Sequence, residues 1–300
     1  MYLITEFKGE FSALIAALLW AIASVMFAHL GRFFSSIQLN LIKGVVAFFL
    51  IFLTIVPGGE LSGNIQIYPF LILLLSGVIG IGLGDTAYFE SLKYIGARRA
   101  LLVQTISPPL AAFIALIFLD EKLAFNAWLG ILITISGVAW VITDRTGDTG
   151  RHSSHLMRGV AFALLAALGQ ASGAVISHAV LINTEISPLF STLIRLAGGI
   201  IVLLFWIPFY KGRKSIRKIE NKRKVFSLTF LAIFIGTYLG LWLLQISLKY
   251  ADVGISQTLV FTSPIFILPI AARMGEKISM RAVFGALIAL TGIALLFLKV

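Results

Sequence analysis

Ten apolar runs separate short polar stretches along the 300-residue chain: roughly 11–30, 36–56, 68–92, 98–119, 126–143, 157–178, 187–209, 226–247, 254–274 and 280–298. Uncharged runs near 20 residues match an α-helix crossing about 30 Å of hydrocarbon. A β-barrel would show shorter segments alternating apolar and polar residues. The pattern predicts an all-α polytopic membrane protein with ten transmembrane helices. Lys8 ahead of the first run, with Ala21-Ile22-Ala23 inside it, has the outline of a signal peptide. The run at 157–178 repeats the first one. An internal segment is no signal peptide, so the first run is read as a span.

The polar punctuation occurs twice. Gly80 and Gly84 lead on to Ser91-Leu92-Lys93-Tyr94, as Gly236 and Gly240 lead on to Ser247-Leu248-Lys249-Tyr250. The offset of 156 holds at Ser107-Pro108 and Ser263-Pro264. It slips to 155 at Glu121/Glu276, Gly130/Gly285 and Gly137/Gly292, and is 150 between Leu14–Leu18 and Leu164–Leu168. Shared greasiness would align leucine with leucine. It would not bring GxxxG, Ser-Leu-Lys-Tyr, Ser-Pro and Glu-Lys in the same order. Residues 1–150 and 151–300 are therefore read as two homologous halves of five spans each. An odd number per half turns the second half over relative to the first, as in inverted-repeat carriers.

Composition agrees with the membrane reading: 59% of residues are hydrophobic and 12% charged, against about 25% charged in soluble domains. Mean hydropathy is +1.00. There is no cysteine, which removes disulfides and thiol chemistry. The net charge of +11 sits in loops beside the spans, so lipid headgroups are the expected partner and nucleic acid is not. Eighteen basic residues fall on the face of the odd loops, eight of them within 210–224, and four on the other face. The positive-inside rule then puts the odd loops in the cytoplasm and both termini outside.

These motifs resemble the EamA family of the drug/metabolite transporter superfamily. The likeness rests on the apolar run with Ser-Pro, the Glu-Lys turn and the glycine-containing helix after it, in both halves. It rests also on Lys43 and Arg195 in the second span of each half. The resemblance implies ten helices around a central cavity, with the fifth span of each half outside it. It further implies carriage of small metabolites, most often export, without ATP. Family members usually have both termini in the cytoplasm, which the charge count reverses.

Ionisable groups deep in lipid are costly, so each is a candidate site residue. Asp85 has Leu241 as its repeat partner and breaks the symmetry. It reads either as a proton or cation acceptor or substrate-amine contact, or as half of a buried ion pair with Lys43 or Arg195. Lys43 and Arg195 either snorkel to the interface or draw a substrate carboxylate or phosphate inward. Pro108, Pro109 and Pro264 free the carbonyls of Gln104, Thr105 and Val260. Ser107, Ser263, Thr105 and Thr262 are placed to satisfy them; otherwise the prolines make spans four and nine bendable gates. Gln104 and Gln257 precede these breaks and are candidate ligand contacts, with Trp20 and its partner Gln170 as weaker ones. Glu90 and Lys93 read as an interfacial pair. Gly80, Gly84, Gly236 and Gly240 allow close backbone approach or leave room for a ligand. Gly130, Gly137, Gly285 and Gly292 read as helix packing, or as an outward dimer stripe.

Enzyme chemistry finds no support in the sequence. His29, His152, His155 and His178 have no metal-ligand spacing, and no phosphate-binding glycine loop appears. The expectation is a multi-pass transporter of the plasma membrane (the bacterial inner membrane), without metal or cofactor. It would act as monomer or homodimer, with proton or cation coupling open. It would move amino acids, related metabolites or drugs by alternating access. The alternatives are a passive facilitator of the same fold and, less favoured, a membrane enzyme acting on lipid-linked substrate.

Overall fold

A computed structural model describes residues 7–58, 66–118, 125–142, 153–209, 221–251, 253–275 and 278–297, and every regular element among them is helical. The helices are α1 (Lys8–Leu30), α2 (Ser36–Gly58), α3 (Ile67–Gly77), α4 (Asp85–Gln104), α5 (Ser107–Phe118), α6 (Phe125–Ile142), α7 (Ser153–Ile182), α8 (Pro188–Trp206), α9 (Lys222–Ile233), α10 (Gly240–Tyr250), α11 (Val253–Val260), α12 (Ser263–Arg273) and α13 (Met280–Phe297). The turns Glu121-Lys122 and Glu276-Lys277, and most of 144–156 and 210–224, lie outside the described residues.

Among the described residues, six stretches are long and apolar enough to cross a membrane: Lys8–Leu30, Ser36–Pro57, Ile67–Gln104, His155–Ile182, Pro188–Trp206 and Lys222–Tyr250. Shorter apolar stretches lie within α6 (Trp128–Gly137), α12 (Ser263–Arg273) and α13 (Met280–Leu295). At expected spans three, four and nine the departure from even runs has local causes. Gly96 adopts φ 75° and ψ 170° inside α4, so expected spans three and four share one stretch with a sharp break. Turns at Thr105–Ile106 and Phe261–Thr262 then cut expected spans four and nine into shorter helices.

Two stretches are wound as π-helix, Val78–Gly84 between α3 and α4, and Phe234–Leu239 between α9 and α10. They start 156 residues apart, the offset of the sequence motifs. A π-turn leaves carbonyls without their usual partner, and inside lipid these must be satisfied by protein. Asn40 Nδ2 donates to the carbonyls of Ile81 (2.7 Å) and Gly82 (3.2 Å) in the first. Trp20 Nε1 donates to the carbonyl of Gly236 at 2.8 Å in the second.

Small residues line the inward faces of α1 and α7, beside buried aliphatic side chains such as Leu30, Ile51 and Leu196. Ala13, Ala16, Ala17 and Ala21 on α1 are fully buried, and so are Ala163, Ala166, Ala167 and Ala171 on α7, 150 residues later. Leu53, Phe205 and Phe226 are exposed, as lipid contact requires. Small faces let backbones approach and gain dispersion contacts that lipid tails do not replace. α7 packs on α4 and on the first π segment, while α1 packs on α10 and on the second. α2 packs on α8, and α6 on α13. In the last pair a methyl group on Gly137 would strike the Gly285 carbonyl and Ala289, and one on Gly292 would strike Thr134 and the Gly130 carbonyl. The glycine stripe is consumed by this contact within the chain.

Candidate functional site

The glycines of the first π segment bring α7 into backbone contact. Gly84 lies against Gly169, and Gly80 against Gly173. In the second segment Gly236 meets Ala23, and Gly240 leaves space for the Trp20 indole. Between these contacts lies a cleft of about 710 Å³, counting space open to the outside. Its walls come from α1, α2, α4, α7, the second π segment, α10, the Phe261 turn and α12.

Asp85 is the first residue of α4 after the π segment, eleven residues before the Gly96 break and so about 16 Å from that end of the helix. Lys43 is seven residues into α2, about 10 Å deep. The two form an ion pair through Nζ and Oδ2. Gln170 Nε2 donates to the other carboxylate oxygen, Oδ1, at 2.7 Å. The Lys43 ammonium also lies over the Phe89 ring, 5.3 Å from its centroid. Of the two sequence readings of Asp85, the pair with Lys43 is present in this conformation, and it borders the cleft. Both side chains are nearly enclosed, 5% and 13% exposed, so loss of one partner strands the other in a region of low dielectric.

Trp20, Gln170 and Gln104 line the same cleft, as does Ser263. Gln104 is buried and its Oε1 has no hydrogen-bond partner. Ser263 Oγ donates to the Val260 carbonyl (2.9 Å), the group that Pro264 would leave free, and approaches the Ala17 carbonyl at 3.1 Å. Thr105 Oγ1 likewise donates to Leu102 O at 2.7 Å. Pro108 and Pro109 sit in the first turn of α5, and Pro264 in that of α12, where a missing N–H costs nothing. The breaks at Thr105–Ile106 and Phe261–Thr262 precede them.

Arg195 and Gln257 are not among the wall residues. Gln257 is buried with its Oε1 unpartnered. Arg195 on α8 is 2% exposed, and its Nε has no hydrogen-bond partner. Methyl groups on Gly80 or Gly173 would come within 3.3 and 3.4 Å of its Nη2, so these glycines house the guanidinium as well as the helix contact. Glu90 and Lys93 pair at 3.7 Å.

Sequence reasoning missed several residues. Tyr88 donates to Ser24 Oγ at 2.7 Å, and both line the cleft with Phe27, Phe89 and Phe261. Tyr88 and Phe89 are three and four residues after Asp85 and share its helix face, a spacing visible in the sequence. Asn40, three residues before Lys43, has the same signal; its Nδ2 also donates to Thr86 Oγ1 at 2.9 Å. Gln245 accepts from Ser177 (2.8 Å) and Ser191 (3.3 Å) at a junction of α7, α8 and α10 that no repeat motif marks.

The sequence model of the EamA-like transporter family matches this chain twice, over residues 7–143 and 157–298. The chain belongs to the EamA-like transporter family. An uncharacterized transporter of Bacillus subtilis, YyaM, is 25% identical over 85% of this chain and 81% of its own length. One from Archaeoglobus fulgidus is 25% identical over 78% of each chain. One from Clostridium kluyveri is 30% identical over 42% of this chain, a match that spans 40% of that protein. A crystal structure aligns over 96% of both chains with a TM-score of 0.68 at 17% identity, which establishes a shared fold. Membership of EamA, together with the apolar helices, makes this a multi-pass membrane protein of a transporter family.

Proposed function

We propose that the chain is a secondary carrier that moves small metabolites across the plasma membrane by alternating access. The observation that carries this reading is the central cleft, with the Lys43–Asp85–Gln170 cluster on its wall. Residues before and after position 150 line it together. Ten spans in two inverted halves, 1–150 and 151–300, account for the packing. The first π segment contacts α7, and its counterpart contacts α1, so the two relations exchange when the halves are swapped. Two such halves rock about the cleft between them. The breaks before α5 and α12 supply the hinges.

Asp85 is the coupling group. A proton or cation arriving at its carboxylate weakens the hold on Lys43, and the cluster then relaxes toward the other access state. Export is the direction expected. The experiment is uptake into proteoliposomes of a panel of labelled amino acids and metabolites, with and without a pH gradient, for wild type and Asp85→Asn. Gradient-driven uptake that disappears in the variant is the expected result. Gradient-independent uptake that survives the mutation removes Asp85 from coupling and favours a facilitator.

A further inference from the structure

The charges deepest in the spans do not cancel. Of thirteen Asp and Glu in the whole sequence, Asp85 alone lies well inside a predicted span; Glu90 stands near the end of the third, paired with Lys93. Asp85 is engaged on both oxygens, by Lys43 and by Gln170. That leaves Arg195, 2% exposed, set against the glycines behind the cleft wall and within electrostatic reach of Asp85. With Lys43 and Asp85 ion-paired the two sum to zero, and Arg195, a guanidinium that stays charged, leaves one positive charge in surplus. Protonation of Asp85, the coupling step proposed above, adds to that surplus. An uncompensated cation in a protein interior within a membrane is expensive. Ser24, Gln104 and Gln170 offer uncharged polar groups at the cleft, and its remaining surface is largely apolar and aromatic, with Trp20, Phe27, Phe89 and Phe261.

We infer that the cleft selects organic anions of net charge −1 with an apolar or aromatic body. This rests on the carrier reading of the same cleft and narrows its substrate class. The anion's charge offsets the field of Arg195 while its body lies against the aromatic walls. Arg195 is a specificity-determining residue that acts through this field, without requiring direct contact. A zwitterion or an organic cation leaves the surplus uncorrected or adds to it.

Three probes of similar size separate these cases: phenylacetate (anion), phenylalanine (zwitterion) and phenethylamine (cation). Binding of labelled phenylacetate to purified protein in nanodiscs, and its displacement by the other two, is the measurement. Phenylacetate is expected to bind at least about tenfold more tightly than either competitor, the effect of a unit charge within about 12 Å at an effective dielectric near 20. Arg195→Gln should erase that preference, and Arg195→Lys should keep it. The wild-type comparison stands even if Arg195→Gln fails to fold. Equal or tighter binding of phenylalanine or phenethylamine overturns the inference, as does absence of saturable binding by all three. A preference unchanged in folded Arg195→Gln also overturns it. Any of these leaves the carrier reading to its own transport assay. Conversely, phenylacetate binding without trans-stimulated flux sinks the carrier reading and leaves the charge selection intact.

Discussion

The Lys43–Asp85 pair permits a prediction in which stability and transport part company. Asp85→Ala removes the carboxylate and leaves an ammonium on Lys43, itself 4% exposed, with only the Phe89 ring as a described neighbour of complementary charge. Breaking a buried pair from one side costs about 3–5 kcal/mol. Lys43→Met is milder, because Gln170 still donates to Asp85 at 2.7 Å and bears part of the stranded charge; about 1–3 kcal/mol is expected. Replacing both, as Lys43→Met with Asp85→Leu, removes the desolvation penalty along with the attraction, and such replacements are often neutral. The double variant should therefore be more stable than Asp85→Ala alone, with a coupling energy of about 2 kcal/mol or more. Unfolding of purified protein in mixed micelles, followed by tryptophan fluorescence, measures it when the cycle includes Asp85→Leu as the matched single variant. Transport should be lost in all of these variants, including the stable double one. Additivity within about 0.5 kcal/mol would refute the claim that these side chains interact in the folded protein.

Other consequences are independent of that pair. A methyl group on Gly77 would overlap the Arg195 carbonyl; Gly77→Ala should cost about 1–3 kcal/mol in the same unfolding assay. Trp20→Phe removes the 2.8 Å bond to Gly236 O and leaves a π-turn carbonyl unsatisfied, a loss of about 1–3 kcal/mol. The native chain has no cysteine, so single replacements report access cleanly. Ser24→Cys should react with a small maleimide through the cleft. Ser247→Cys, fully buried where Ser247 now meets Ser256 at 2.7 Å, should not.

How much of this was legible from residues alone depends on what each feature requires. Helices in lipid follow from run length, and the family from motifs that recur at fixed offsets. Asp85 stands out because its repeat partner is leucine. Its choice of Lys43 over Arg195 was not legible, since both are basic and equally placed in their halves. That choice turns on the face each helix presents after the π-turn, and one additional residue per turn rotates the whole helix beyond it. The role of Asn40 and Trp20 in satisfying π-turn carbonyls was hidden for the same reason. Pro108 and Pro109 of α5 and Pro264 of α12 looked like interruptions within helices; they stand at helix starts, and the breaks fall just before them. Expected spans three and four joined into one broken stretch, and spans four and nine divided into shorter pieces, because Gly96 and the turns near 105 and 261 are backbone events that apolar composition does not encode.

The central claim is that the cleft carries a bound solute across the membrane one access state at a time. Counterflow tests it most directly. Proteoliposomes are preloaded with a transported unlabelled substrate, and entry of the labelled form is monitored with no net gradient of driving ions. A carrier whose loaded form reorients faster than its empty form will show label accumulating transiently above equilibrium, and this is the predicted result. Label that enters only to equilibrium, at a rate indifferent to the internal substrate, would contradict alternating access and mark a passive pore.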